Sequence, residues 1–155
     1  MDIIFEGNIM KNIIVLFIST LFLSACSHLS RDNSQLISPM QAVELSAANA
    51  PKVVEGEFML TIKSGYVKQR MAFLNSELDH HDQRNLIIAL RPRAIKEMTE
   101  LHGEEPANYF IGKKIKVSGE AKRVKKWVFD KRNKVNEYYY QTHIFVNSAN
   151  QVSIL

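Results

Sequence analysis

The chain has 155 residues, 46% of them hydrophobic and 23% charged, with a net charge of +4. That length suits one domain with one core, and the moderate positive charge favours anionic partners such as phospholipid, lipopolysaccharide, acidic glycan or nucleic acid. A single cysteine, Cys26, excludes an intramolecular disulfide and a multi-cysteine zinc site.

Lys11 precedes the apolar run Ile13-Ile14-Val15-Leu16-Phe17-Ile18, which continues through Ser19-Thr20-Leu21-Phe22 to Leu23-Ser24-Ala25-Cys26. A cationic start, an apolar core of about a dozen residues and small residues before a cut are the marks of a secretory signal. The core is shorter than the ~20 apolar residues a bilayer span needs. Leu23-Ser24-Ala25-Cys26 resembles the lipobox of bacterial lipoproteins. The resemblance implies diacylglyceryl transfer to the Cys26 thiol, cleavage before Cys26 and acylation, as by palmitate, of the new amino group. The competing reading is an ordinary signal or anchoring helix in which the cysteine is incidental. Lipidation would consume the one thiol and leave no cysteine nucleophile.

Asp2 and Glu6 sit poorly in a region that should be cationic, and Met10-Lys11-Asn12 reads as a natural translation start. Cleavage before Cys26 removes Asp2, Glu6 and Lys11, which moves the net charge from +4 to +5. Ser27 follows the modified cysteine. In enteric-type Gram-negative bacteria the lipoprotein resemblance implies outer-membrane sorting, on the periplasmic face.

Residues 26–51 read as the lipidated N-terminus and a flexible tether, rich in Ser, Asn, Ala and Gln. Within it Met40 to Ala48 fits a short helix, with Ser38 as cap before Pro39. The folded domain is expected over residues 52–155. Val53 to Lys63 alternates, with Val54, Gly56, Phe58, Leu60 and Ile62 on one side, as in a half-buried strand. Ser64-Gly65 reads as a turn, and a second strand runs near Gln69 to Asn75. Leu86-Ile87-Ile88-Ala89-Leu90 reads as a buried third strand. Pro92 opens a helix with Ala94, Ile95, Met98 and Leu101 at helical spacing, closed by Gly103. A further helical turn fits Pro106 to Phe110.

In the fourth strand, Lys114 to Val124, the residues Ile115, Val117, Gly119 and Ala121 face inward. After a basic loop, Tyr138 to Val146 forms the fifth strand, with Tyr140, Thr142, Ile144 and Val146 inward and Tyr139, Gln141 and His143 outward. Val152 and Ile154 fit a short terminal strand. Three strands, a helix and two strands predict a mainly β domain with one helix, a five-stranded OB-fold-like barrel. Another small α+β sheet domain is the runner-up. The segments Leu74-Asn75-Ser76-Glu77-Leu78-Asp79, Asp82, Asn85-Leu86, Tyr109 to Gly119 and Ile144 to Val152 resemble lone OB-like domains of exported bacterial proteins. The resemblance implies the architecture and leaves the ligand open, because fold alone does not assign function.

Ten basic residues lie between Lys113 and Lys134, opposed by Glu120 and Asp130 alone. In an OB fold this segment is the hairpin joining the last two strands, a usual ligand-gripping element. Lys122, Arg123, Lys125, Lys126, Lys131 and Arg132, with Trp127 and Tyr139, are the candidate ligand-binding residues: cations attract phosphate and aromatic faces stack on bases or sugars. A solvated hairpin with Trp127 packed over the barrel end is the bland alternative, and docking to anionic headgroups is a third reading.

Asp79-His80-His81-Asp82 offers metal-ligand chemistry, but adjacent histidines point apart in a strand, so no metal site is assigned. There is no Gly-rich phosphate loop, nucleophile elbow or paired histidine–glutamate metalloprotease motif, and no cofactor is expected. The expectation is a non-enzymatic, membrane-anchored binding protein of the cell envelope. Its partners would be the membrane through the lipid and an anionic lipid, glycan or protein. An extracytoplasmic nucleic-acid binder is the rival.

Overall fold

The computed structural model describes residues 35–155. The signal, Cys26 and Ser27 lie outside the described residues. Helix α1 spans Pro39–Asn49. Ser38 and Gln41 cap it reciprocally: the Gln41 N–H donates to Ser38 Oγ and the Ser38 N–H to Gln41 Oε1. Pro39 occupies a first-turn position where no N–H is required. Ala42 and Ser46, one turn apart, are fully buried, and α1 packs against the sheet. Ile37 is bound to the first strand, its N–H donating to Glu57 O and its carbonyl accepting from Met59 N. Ordered structure therefore reaches back through much of the stretch expected to be tether. The contact face of α1 is made of small residues, so it carries no apolar stripe to distinguish it from a linker.

The strands are β1 (Val54–Thr61), β2 (Ser64–Lys68), β3 (Met71–Asn75), β4 (Leu86–Leu90), β5 (Lys114–Phe129), β6 (Val135–Val146) and β7 (Val152–Ile154). Helices α2 (Pro92–His102) and α3 (Pro106–Tyr109) lie between β4 and β5. The protein is mainly β, but with seven strands and three α-helices among the described residues, in place of five strands and one helix. The sheet order is β1-β5-β6-β4-β3-β2, with β7 on β5; β4 and β6 run parallel and every other pair antiparallel.

The extra strand at the start comes from a change of partner. Ile62 exchanges hydrogen bonds with the segment entering β5, donating to Lys113 O and accepting from Gly112 N, whereas the N–H of Lys63 donates to Asn75 O at the end of β3. One stretch of chain thus supplies both ends of the sheet path, and the sheet curls. Ser64-Gly65 is part of β2; the turn falls instead at Gln69 and Arg70, both with positive φ. Gly65 has no side chain because α3 lies against it, and a Cβ there would run into the carbonyl of Ala107.

Inward positions alternate as the pleat requires. Phe58 pairs with Val117 and Ala121 with Ile144, and all four are fully buried. Ala94 and Met98 of α2 pack on this core, whereas Leu101, expected on the same face, is 71% exposed. Gly103 caps α2 at φ 71°, its N–H donating to Thr99 O.

Candidate ligand-binding cleft and ribbon

The basic segment is a ribbon and not a loop. β5 continues to Phe129 and β6 begins at Val135, with a short turn between. Asp130 shapes that turn: its Oδ1 accepts from the N–H groups of Arg132 and Lys134, and Asn133 takes a positive φ. Among the described residues, 135–141 of β6 have β5 as their one strand neighbour, since pairing with β4 begins at Thr142. The ribbon therefore extends beyond the rest of the sheet.

Alternation divides the expected ligand-binding residues between two faces. Lys122 pairs with His143, Val124 with Gln141 and Lys126 with Tyr139 on the outer face. Arg123, Lys125 and Trp127 stand on the opposite face, across from Thr142, Tyr140 and Tyr138. Lys131 and Arg132 are exposed in the turn. The eight residues do not converge on one point.

On the outer face, a cleft of about 490 Å³ opens between the β2–β3 turn and the base of the ribbon. Tyr66 and Phe73 are stacked in its wall, centroids 5.0 Å apart and planes 17° apart. Lys68 and Lys126 supply ammonium groups, and His80, His81, Tyr139 and Gln141 also line it. Of the expected residues, Lys126 and Tyr139 belong here. Lys122 lies in a second recess with Arg91 and Phe145, where the Arg91 guanidinium sits 5.7 Å from the Phe145 ring centroid.

The outward positions on β6 are not open surface as expected. Gln141 and His143 are buried, His143 to 3% exposure. Their cover is partly the loop between β3 and β4, which turns over this face: Gln141 Nε2 donates to the carbonyl of His80. His143 Nε2 lies 3.2 Å from Gln141 Oε1, and the Phe73 and Phe145 rings flank the imidazole. Burial, with the nearby Lys126 charge, lowers the His143 pKa to about 4, so the ring is neutral at pH 7. Burial raises the Tyr66 and Tyr139 phenols, with further upward pushes from Tyr139 on Tyr66 and from Asp79 on Tyr139. Both hydroxyls stay protonated and able to donate.

The covering loop is fixed by a buried polar network. Asn85 Nδ2 donates to Asn75 Oδ1 at 2.9 Å, and Asn85 Oδ1 accepts from Ser76 Oγ and the Glu77 N–H, each at 3.2 Å. The Leu86 N–H donates to Ser76 Oγ. This is the segment of the second sequence resemblance, and its polar residues pin both ends of the loop that carries His80 and His81.

Adjacent histidines do not point apart here, because the loop bends. The rings of His80 and His81 lie 3.9 Å apart, and ligand atoms of Asp79, His80 and His81 fall within 4.8 Å of one another, all exposed. Asp82 is directed elsewhere: two hydrogen bonds from the Arg84 guanidinium help to hold its carboxyl at about 2.

Tyr66, Lys68 and Phe73 were missed in the sequence. A turn placed at Ser64-Gly65 hid the outward register of β2, and Phe73, although inside the expected second strand, gave no sign of the Tyr66 ring it stacks on. No family model matches the chain, and no curated protein matches it either. Among the described residues, no helix is long and apolar enough to cross a membrane.

Proposed function

We propose that this protein is a non-enzymatic binding lipoprotein of the bacterial cell envelope, anchored through lipid on Cys26, that holds an anionic envelope component in the outer-face cleft. The observation that carries this reading is the stacked Tyr66–Phe73 pair lining one cleft together with Lys68 and Lys126. Cations attract a phosphate or carboxylate, while the rings offer apolar faces to a sugar or base. The topology supports an OB-like reading. β1 and β2 act as one bent first strand, β3 and β4 follow, α2 and α3 precede β5, and β6 returns parallel to β4. In that reading the β2–β3 turn and the β5–β6 ribbon are the two gripping elements.

The same topology favours one second reading, an extracytoplasmic binder of single-stranded nucleic acid. Titrating the chain with lipopolysaccharide, a phosphorylated polyol polymer and a labelled oligothymidylate separates the two. Saturable binding to an envelope polymer, weakened at least tenfold by Tyr66→Ala and by Lys126→Ala, is the expected result. Preference for the oligonucleotide would move the assignment to the second reading, and indifference to both variants would refute the cleft. For the anchor, Cys26→Ser should abolish labelling by a palmitate probe and block processing; a labelled, processed variant would refute the lipoprotein reading.

A further inference from the structure

The ribbon face opposite the cleft is not used by that ligand, and its composition differs from the cleft's. Trp127, Phe129 and Tyr138 are 50%, 54% and 53% exposed, and all three stand toward the turn. Lys125 places its ammonium 4.1 Å from the Trp127 ring centroid and 3.9 Å from that of Tyr138. Arg123 does the same over Tyr140 at 3.8 Å. Lys131 and Arg132 add charge at the tip. Within the described ribbon, Glu137 pairs with Val128 on the cleft side, and Asp130 is engaged in the turn, where its Oδ2 lies 3.8 Å from Arg132 Nε and leaves Lys125 and Lys131 without that carboxylate beside them.

We propose that this face is a membrane-docking finger, which lays Trp127, Phe129 and Tyr138 into the interface of an anionic bilayer while Lys125 and the turn cations meet the headgroup phosphates. Aromatic side chains favour the headgroup level, and each Lys or Arg near an anionic surface adds attraction. The same geometry disfavours a base-stacking platform. Trp127 and Tyr138 meet edge to face, 5.7 Å between centroids and 67° between planes, and each already carries the Lys125 ammonium over its ring. A nucleic-acid base needs an open ring face, whereas a lipid interface needs apolar bulk and adjacent positive charge. Docking by this face leaves the cleft on the other side of the ribbon free.

Trp127 is the one tryptophan of the chain, so its fluorescence reports this face alone. The full chain is bound to vesicles of phosphatidylcholine, and separately to vesicles of phosphatidylcholine with phosphatidylglycerol. This design rests on the lipoprotein reading: with lipid on Cys26 holding the chain to both, a difference between them reports the ribbon. The expected result is a blue shift, and quenching by brominated acyl chains, with the anionic vesicles only, both reversed by high salt. Replacing Lys125, Lys131 and Arg132 by Gln should abolish the shift. Replacing Lys52, Lys96 and Lys114 by Gln, the same charge loss outside the ribbon, should leave most of it. Unchanged emission on anionic vesicles would overturn the proposal, as would equal shifts on both compositions. A shift produced by oligothymidylate and by neither vesicle would also overturn it and make the ribbon a nucleic-acid element.

Discussion

Acidification should destabilise the domain through His143 before most of its carboxylates titrate. The imidazole is buried between Phe73 and Phe145 and held neutral, with its pKa lowered from 6.5 to about 4. In the unfolded chain the ring takes its proton near 6.5, whereas in the folded protein it waits until about 4. The unfolded state therefore binds more protons across that window. The His143 contribution is fully present above pH 6.5, declines as pH falls and levels off below pH 4. At 1.36 kcal/mol per pKa unit, the total loss is about 3 kcal/mol. That is a large part of a stability typically ~5–15 kcal/mol. Urea unfolding of the wild type and of His143→Gln, measured at intervals from pH 7 to 4, isolates the effect, because Gln can still bond Gln141 but does not titrate. The wild type should lose about 3 kcal/mol relative to the variant. Parallel curves, or an imidazole that titrates near 6.5 by NMR, would refute the buried neutral ring. His143 supports Gln141, and Gln141 holds the His80 carbonyl, so the loop over the cleft should loosen only near pH 4, where the folded imidazole takes its proton.

Val117→Asp and Ile144→Asp each put a carboxylate at a fully buried position and should cost at least ~4 kcal/mol, with loss of cooperative thermal unfolding. Glu120→Ser, exposed on the same strand as Val117, should change Tm little; similar losses at all three sites would refute the register. Lys116 is not a neutral outward control, since its ammonium bonds Glu57 at 2.8 Å. Gly65→Ala should cost about 1–3 kcal/mol by forcing α3 off β2, read by denaturant midpoint; a neutral effect would mean that α3 shifts freely. Asn85→Ala should cost about 2 kcal/mol by orphaning Asn75 and Ser76, with faster amide exchange in the loop bearing His80; unchanged exchange would show that the loop is held by other contacts.

Much of the curled sheet was legible because a half-buried strand declares itself by a period of two. Phe58, Leu60 and Ile62, Ile115 and Val117, and Ile144 and Val146 are inward as the alternation requires. Pro92 and Gly103 bracket α2 by local backbone chemistry that needs no tertiary contact. The faces of α1 and α3 were harder to read, because helices packed through Ala42, Ser46 and Ala107 carry no large-residue stripe. The ribbon's positive charge was plain in composition, but the side on which each cation stands depends on where β5 ends. Period-two alternation reads through 114–124, and a charged two-stranded ribbon beyond it has no buried face to extend the pattern.

The cleft itself is a tertiary product. Tyr66 and Phe73 meet because β2 pairs with β3, and Lys126 and Tyr139 join them because the curled sheet and the loop over Gln141 bring strands distant in sequence together. Residue types determine which atoms can attract an anion or stack on a ring, and that much the chain states alone. Only folding decides which of them share a face. Strand pairing is a long-range choice made by burial of the whole core, and a single strand's alternation is blind to its neighbour.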